Sequence, residues 1–261
     1  MSDSPAPSAS ALSAFGATGP ATRLPGGQGS TWRSDKLVLK PAALASETSW
    51  RAGVMCHLPE ADDFRVARPV PARDGAWSAS GWEAWRLIEG AAPDPRRADE
   101  VIRAGEAFHA AIAHLPRPRF LGVRDDAWAH ADRLAWEESD EAPDFAVLKP
   151  LLAARRPVSA PAQLVHGDLL GNVLFADGRP PAVIDWPPYW RPASWASAVV
   201  AVDAVSWHDA GPSLLERWSH LPDWRQLLVR ALIFRIATHE SLDGGTESTY
   251  RKATDLVLAT A

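Results

Sequence analysis

The segment from Leu164 to Trp186 constrains this chain more than any other. It runs Leu164-Val165-His166-Gly167-Asp168-Leu169-Leu170-Gly171-Asn172 and, beyond a polar turn, Ala182-Val183-Ile184-Asp185-Trp186. An apolar approach delivers a His-Gly-Asp turn, an Asn follows four residues after the Asp, and a second apolar run ends in another Asp. The pattern predicts two neighbouring short strands with Asp168, Asn172 and Asp185 at their ends. One base and two hard oxygen ligands suit a magnesium-held phosphate better than zinc or a nucleophilic triad.

Composition removes several other classes. A chain of 261 residues is long enough for one large domain or two coupled lobes. The net charge of −5, with no Lys/Arg cluster, leaves no electrostatic footprint for nucleic acid. Cys56 is the only cysteine, so an internal disulfide and a cysteine-rich zinc site are both excluded. No apolar run approaches the ~18 residues of a membrane span. Met1 to Ser13 is rich in Ser, Ala and Pro, lacks a basic residue and does not resemble a secretory signal. These features predict a soluble, cytoplasmic protein. Lysine is scarce: Lys36, Lys40, Lys149 and Lys252 are the only four, so a lysine at a motif position carries weight.

Along the chain, residues 1–13 read as a disordered lead. Residues 14–90 read as strand-rich: a glycine turn at Gly26-Gly27-Gln28-Gly29, strands over 30–33 and 36–40, a helix over 43–58, and strands over 64–71 and 76–90. The small residues and prolines of 91–97 mark a connection. Beyond it, helices are predicted over 98–115, 128–138, 145–155, 194–207, 214–219, 224–239 and 246–258. The fold class is α+β, with a small β-rich lobe (14–90) preceding a larger helical lobe (91–261).

The His166-Gly167-Asp168, Asn172 and Ile184-Asp185-Trp186 motifs resemble the catalytic loop and metal-binding Asp of the aminoglycoside phosphotransferase and choline kinase group, relatives of the protein kinases. Gly-Gly-Gln-Gly, the short loop and Pro187-Pro188-Tyr189-Trp190-Arg191-Pro192 are similar to a divergent, actinobacterial branch whose acceptor is not established. The resemblance implies a two-lobed small-molecule kinase that uses ATP and Mg2+. Asp168 would orient an acceptor hydroxyl, Asn172 and Asp185 would hold the metal, and His166 would fix the loop by hydrogen bonds. Asp203, inside an apolar helix, would brace the catalytic-loop backbone. Lys40 would meet the α- and β-phosphates with Glu47 as its helix partner, Gly26, Gly27 and Gly29 would cover the phosphates, and the adenine would lie near Ile88, between the lobes. One departure is clear: the family's Asn follows the Asp by five positions, and here the gap is four. A shorter loop redirects the Asn side chain unless the backbone compensates.

Several of these residues have ordinary alternatives. The glycines also suit a hairpin turn, Lys40 a solvated strand end, and Glu47 an exposed helix face. Trp186, Tyr189 and Trp190 offer flat surfaces to a small-molecule acceptor, whereas no acidic cluster for a polycation stands out. A rival reading is a catalytically weak, kinase-shaped nucleotide-binding protein. A hydrolase lacks the Gly-x-Ser-x-Gly elbow.

Overall fold

The computed structural model describes residues 5–25, 29–42, 44–92, 97–139, 141–242 and 247–259. In chain order the elements are α1 (Ala9–Ala14), β1 (Thr22–Arg23), β2 (Trp32–Ser34), β3 (Leu37–Pro41), α2 (Ala45–His57), β4 (Arg65–Val66), β5 (Pro69–Val70) and β6 (Trp82–Arg86). There follow α3 (Ala98–Ile112), α4 (Ala127–Ala135), α5 (Leu148–Ala153), β7 (Ala162–His166), β8 (Val173–Leu174), β9 (Ala182–Val183), β10 (Pro188–Pro192), α6 (Ala193–Trp207), α7 (Ser213–Arg217), α8 (Trp224–Leu242) and α9 (Glu247–Ala259). The chain divides into two compact units: the residues up to Gly90 with Ala176–Ile184, and Ala91–Phe175 with Asp185–Ala261.

The first unit is built on an antiparallel sheet ordered β1-β2-β3-β6-β5. Alternation along β3 sends Leu37 and Leu39 into a core with Trp82, Ala84, Ala11 and Phe15. Helix α1, with Ala11 in that core, corrects the expectation of a disordered lead over residues 5–13; residues 1–4 lie outside the described residues. Ser8 caps α1 by accepting from the Ala11 N–H at 3.2 Å, and the apolar face of this short helix covers the sheet. The other β3 face carries Val38 and Lys40, opposite Trp85 and Glu83 of β6.

Two predicted strands are shorter than expected. The stretch over 64–71 changes partner midway: β4 pairs in parallel with β9, while β5 pairs antiparallel with β6. The stretch over 76–90 yields only β6, because Gly75, Ser80 and Gly81 take left-handed turns before it. The segment Ala176–Ile184, which the sequence pattern assigns to the helical lobe, belongs to the first unit. It does so because Arg65 N–H donates to Pro181 O at 2.8 Å and the Arg65 guanidinium to Pro180 O at 3.0 Å.

The second unit centres on two helices that are apolar nearly all round, as buried helices are. Helix α6 is buried from Trp195 to Val205, and α8 from Leu227 to Thr238. Helix α8 packs against α4, α5, α6 and α9, and α3 lays its Val101–Phe108–Ile112 stripe on α6. Against them lies the antiparallel pair β7–β10, in register Val165↔Tyr189 and His166↔Pro188. No helix among the described residues is long and apolar enough to cross a membrane.

Candidate active site

The end of β7 becomes the His166-Gly167-Asp168 turn because three contacts fix it. The His166 N–H donates to Nε2 of the buried His109 at 2.9 Å. The Nδ1 of His166 in turn accepts the Asp168 N–H at 3.1 Å, and the Gly167 N–H donates to Pro187 O at 3.2 Å. Burial, reinforced by the neighbouring His166, pushes His109 down to about 3, so it stays neutral and serves as an acceptor. His166 therefore shapes the turn through its imidazole and its backbone alike.

Asp168 follows with a carboxylate held at both oxygens. Its Oδ1 accepts from Arg235 Nη2 at 2.6 Å and its Oδ2 from Asn172 Nδ2 at 3.0 Å, yet 45% of the side chain remains exposed. Asn172 Nδ2 also donates to the Asp168 carbonyl at 2.7 Å. The four-residue spacing thus folds the amide nitrogen back over the loop. The amide oxygen of Asn172 accepts no hydrogen bond among the described residues.

Asp203 on α6 stands behind this arrangement and differs from expectation. The resemblance implies a brace to the loop backbone. Instead both its oxygens accept from Arg235, Nε at 3.0 Å and Nη2 at 2.6 Å, so any support reaches Asp168 through the guanidinium. Burial raises the Asp203 carboxyl to about 6 against the pull of Arg235, and the charge of Asp168 adds to the rise. Sequence reasoning missed Arg235. Its signal was an arginine, one of two with Arg230, in the otherwise apolar run from Leu227 to Ala237, a position that demands a partner for the charge.

Asp185 sits one residue before Trp186, whose Nε1 donates to Val165 O at 3.0 Å, and two before Pro187, which accepts from Gly167. The backbone that carries Asp185 is thereby pinned to the backbone that carries Asp168. Asp185 is exposed, which removes the desolvation argument made from sequence, but its φ of 50° is left-handed. Such strain in a non-glycine residue concentrates at functional sites. Trp186 and Tyr189 correct another expectation: at 1% and 3% exposure they are core residues and cannot face an acceptor. A cavity of about 550 Å³ near Leu215, Trp224 and Val257 touches none of the residues around Asp168.

In the first unit, Lys40 lies across from Glu83 in the β3–β6 register. Arg51 of α2 grips Glu83 with two 2.7 Å bonds and lies 3.7 Å from Glu47. Trp85 Nε1 donates to Glu83 at 3.0 Å. Glu47, expected as a helix partner of Lys40 or an exposed residue, is buried at 5% exposure beside Arg51. Arg51 and Glu83 were missed because neither belongs to a motif. Gly29 has a left-handed φ of 70°, Ile88 is half-buried just beyond β6, and Gly26 and Gly27 lie outside the described residues.

Among the described residues no group of three or more His, Cys, Asp or Glu side chains is arranged to hold a metal. The hard oxygens of Asp185 and Asn172 nevertheless fit magnesium, which is commonly bound by one or two protein ligands with phosphate and water completing its shell.

The antiparallel-sheet unit and the helical unit, each described above, are those of a protein-kinase-like fold. The comparison with family models agrees: residues 22–188 match the phosphotransferase enzyme family APH, and the chain belongs to that family. Among solved structures it is similar to a thermostable mutant of aminoglycoside phosphotransferase APH(4)-Ia in ternary complex with ADP and hygromycin B (14% identity, TM-score 0.62, 96% of this chain and 97% of that one). It is also similar to an aminoglycoside phosphotransferase from Alicyclobacillus acidocaldarius (15% identity, TM-score 0.58, 99% and 96%). A third similar structure is LicA in complex with AMP (12% identity, TM-score 0.55, 92% of each chain). At these identities the likeness establishes the fold alone. No curated protein sequence matches significantly.

Proposed function

We propose that the protein transfers the γ-phosphate of ATP to a hydroxyl of a small-molecule acceptor, with magnesium assistance. The observation that carries this reading is Asp168: a carboxylate fixed at both oxygens yet open over nearly half its surface. Each carboxylate oxygen has two lone-pair sites, so a hydroxyl can still donate to Asp168. The residue would orient that hydroxyl and receive its proton as the phosphoryl group leaves ATP. Asp185 and the amide oxygen of Asn172 would hold magnesium, which when bound supplies charge neutralisation on the phosphates. Lys40 would contact the phosphates, with Gly26, Gly27 and Gly29 covering them, and Ile88 would pack on the base. Nucleotides in similar structures, ADP in one and AMP in another, support the choice of ATP.

One observation favours the catalytically weak, nucleotide-binding alternative: Arg235 and Asn172 already engage both Asp168 oxygens. Magnesium-ATP hydrolysis in wild type and Asp168→Ala separates the two. The enzyme reading expects slow turnover that the variant loses, with a retained thermal shift on adding magnesium-ATP. A thermal shift without Asp168-dependent turnover would select the binding protein, and no shift would reject ATP altogether.

A further inference from the structure

We infer that Arg235 is a positioning residue for phosphoryl transfer, setting the Asp168 carboxylate in its working orientation, with Asp203 as the anchor that fixes Arg235. The inference rests on the phosphotransferase reading above and extends it to two residues on α6 and α8, outside the catalytic loop.

The geometry separates holding from blocking. Arg235 is 5% exposed and Asp203 7%, so neither charge is kept for solubility. Burying a guanidinium is costly unless its donors are matched. Here the fork is divided: Nε and Nη2 straddle Asp203, and Nη2 also reaches Asp168 Oδ1 at 2.6 Å. Asp203 therefore fixes the guanidinium plane, and that plane fixes one oxygen of Asp168. Asn172 fixes the other at 3.0 Å, so rotation of the carboxylate is arrested from both sides. A lysine cannot reproduce this, because a single ammonium lacks the planar fork that spans two carboxylates. The bracket is built from packed helices and the end of a strand, all from this chain's own residues. Preorganisation of this kind lowers the barrier by removing orientational freedom from the reacting group.

The test uses magnesium-ATP with water as acceptor, because water requires no knowledge of the natural substrate. Arg235→Met should lower kcat on the order of tenfold to a hundredfold. The KM for ATP should stay within about twofold, since nucleotide contacts are untouched. Arg235→Lys should recover little. Millimolar guanidinium added to Arg235→Ala should restore part of the lost rate, an effect that a merely structural arginine would not give. Arg235→Met leaves Asp203 buried without its partner and can unfold the chain, so the charge-balanced Arg235→Met/Asp203→Asn variant is measured beside it. A folded double variant with low kcat and unchanged KM supports the assignment. A double variant with wild-type kcat overturns it while leaving the phosphotransferase reading intact. Absence of Asp168-dependent turnover in the wild type overturns both.

Discussion

The ring of Tyr189 occupies the place where a side chain on Gly167 would begin: a Cβ there would stand 2.4 Å from Cδ2 and Cε2 of the ring. Tyr189 is held on its other sides by Trp195, Phe234 and the Arg124 guanidinium, with ring centroids at 5.6 and 5.5 Å and the cation at 5.1 Å. The glycine between His166 and Asp168 is therefore a packing requirement, and the φ of this residue is not among the left-handed ones. The loop sits as close to the core as a missing side chain allows.

Gly167→Ala should consequently act as overpacking. The ring cannot retreat without moving Trp195 or Phe234, and such insertions cost about 1–3 kcal/mol. For a chain of this size each kcal/mol lowers the melting temperature by about 2–4 °C. Turnover should fall as well, since relief by backbone movement displaces Asp168. A melting temperature equal to wild type would mean that the Tyr189 contact is not tight.

Arg51 and Glu83 make the corresponding test in the sheet unit. Glu83 is 3% exposed and takes two 2.7 Å bonds from Arg51. Removing one partner of such a buried pair costs about 3–5 kcal/mol, because the remaining charge stays out of water. Arg51→Met should therefore shift the denaturation midpoint strongly, and Arg51→Met/Glu83→Gln should recover much of the loss. Equal losses in the single and double variants would show that the pair is not the origin of the effect.

The candidate site was legible in the sequence where its residues are local. Asp168, Asn172 and Asp185 stand within one stretch of short strands and turns, and the period of the apolar residues marked α3. What could not be read was pairing over long separations. Arg235 lies 67 residues from Asp168, and nothing in its own neighbourhood names its partners. The same holds for Arg51 with Glu83, 32 residues apart, and for the return of β9 to β4. Composition misled at the N-terminus, where small residues suggested disorder although Ala11 is buried in the core over the sheet. It also misled at Trp186 and Tyr189, because an aromatic residue beside a motif fits a pocket wall and a core equally well.

His109 predicts a pH dependence of stability. Its folded pKa, about 3, lies below the ordinary 6.5, so across that window the unfolded chain binds a proton that the folded chain does not. The contribution is present above pH 6.5 and is lost as pH falls toward 3. The loss approaches about 1.4 kcal/mol per pH unit in the middle of the window. Asp203 acts in the opposite sense. Its folded pKa is raised to about 6 from 3.8, so its contribution is full below pH 3.8 and fades as pH rises through 6. The two are separated by comparing wild type with His109→Gln, which keeps an acceptor for the His166 N–H but cannot titrate. Urea denaturation at pH 7 and pH 5 should show the wild type losing more stability than the variant. Identical pH slopes would exclude His109 as the source.

Asp185 offers a direct reading of strain against function. At φ 50° an L-residue with a Cβ is disfavoured by about 1–2 kcal/mol, while glycine is at ease there. Asp185→Gly and Asp185→Ala both remove the carboxylate, so they differ in how they bear that backbone conformation and in the larger unfolded-chain entropy of glycine, which offsets part of the gain. The glycine variant should melt higher by about 1–4 °C, given about 2–4 °C per kcal/mol. Both should lose the magnesium-dependent part of the ATP thermal shift, which for a ligand at a hundred times its dissociation constant is worth about 2.7 kcal/mol. An alanine variant as stable as the glycine variant would mean that the left-handed turn relaxes once the carboxylate is gone. A magnesium-dependent shift surviving in both would remove Asp185 from the metal site and leave its strained backbone without a functional reason.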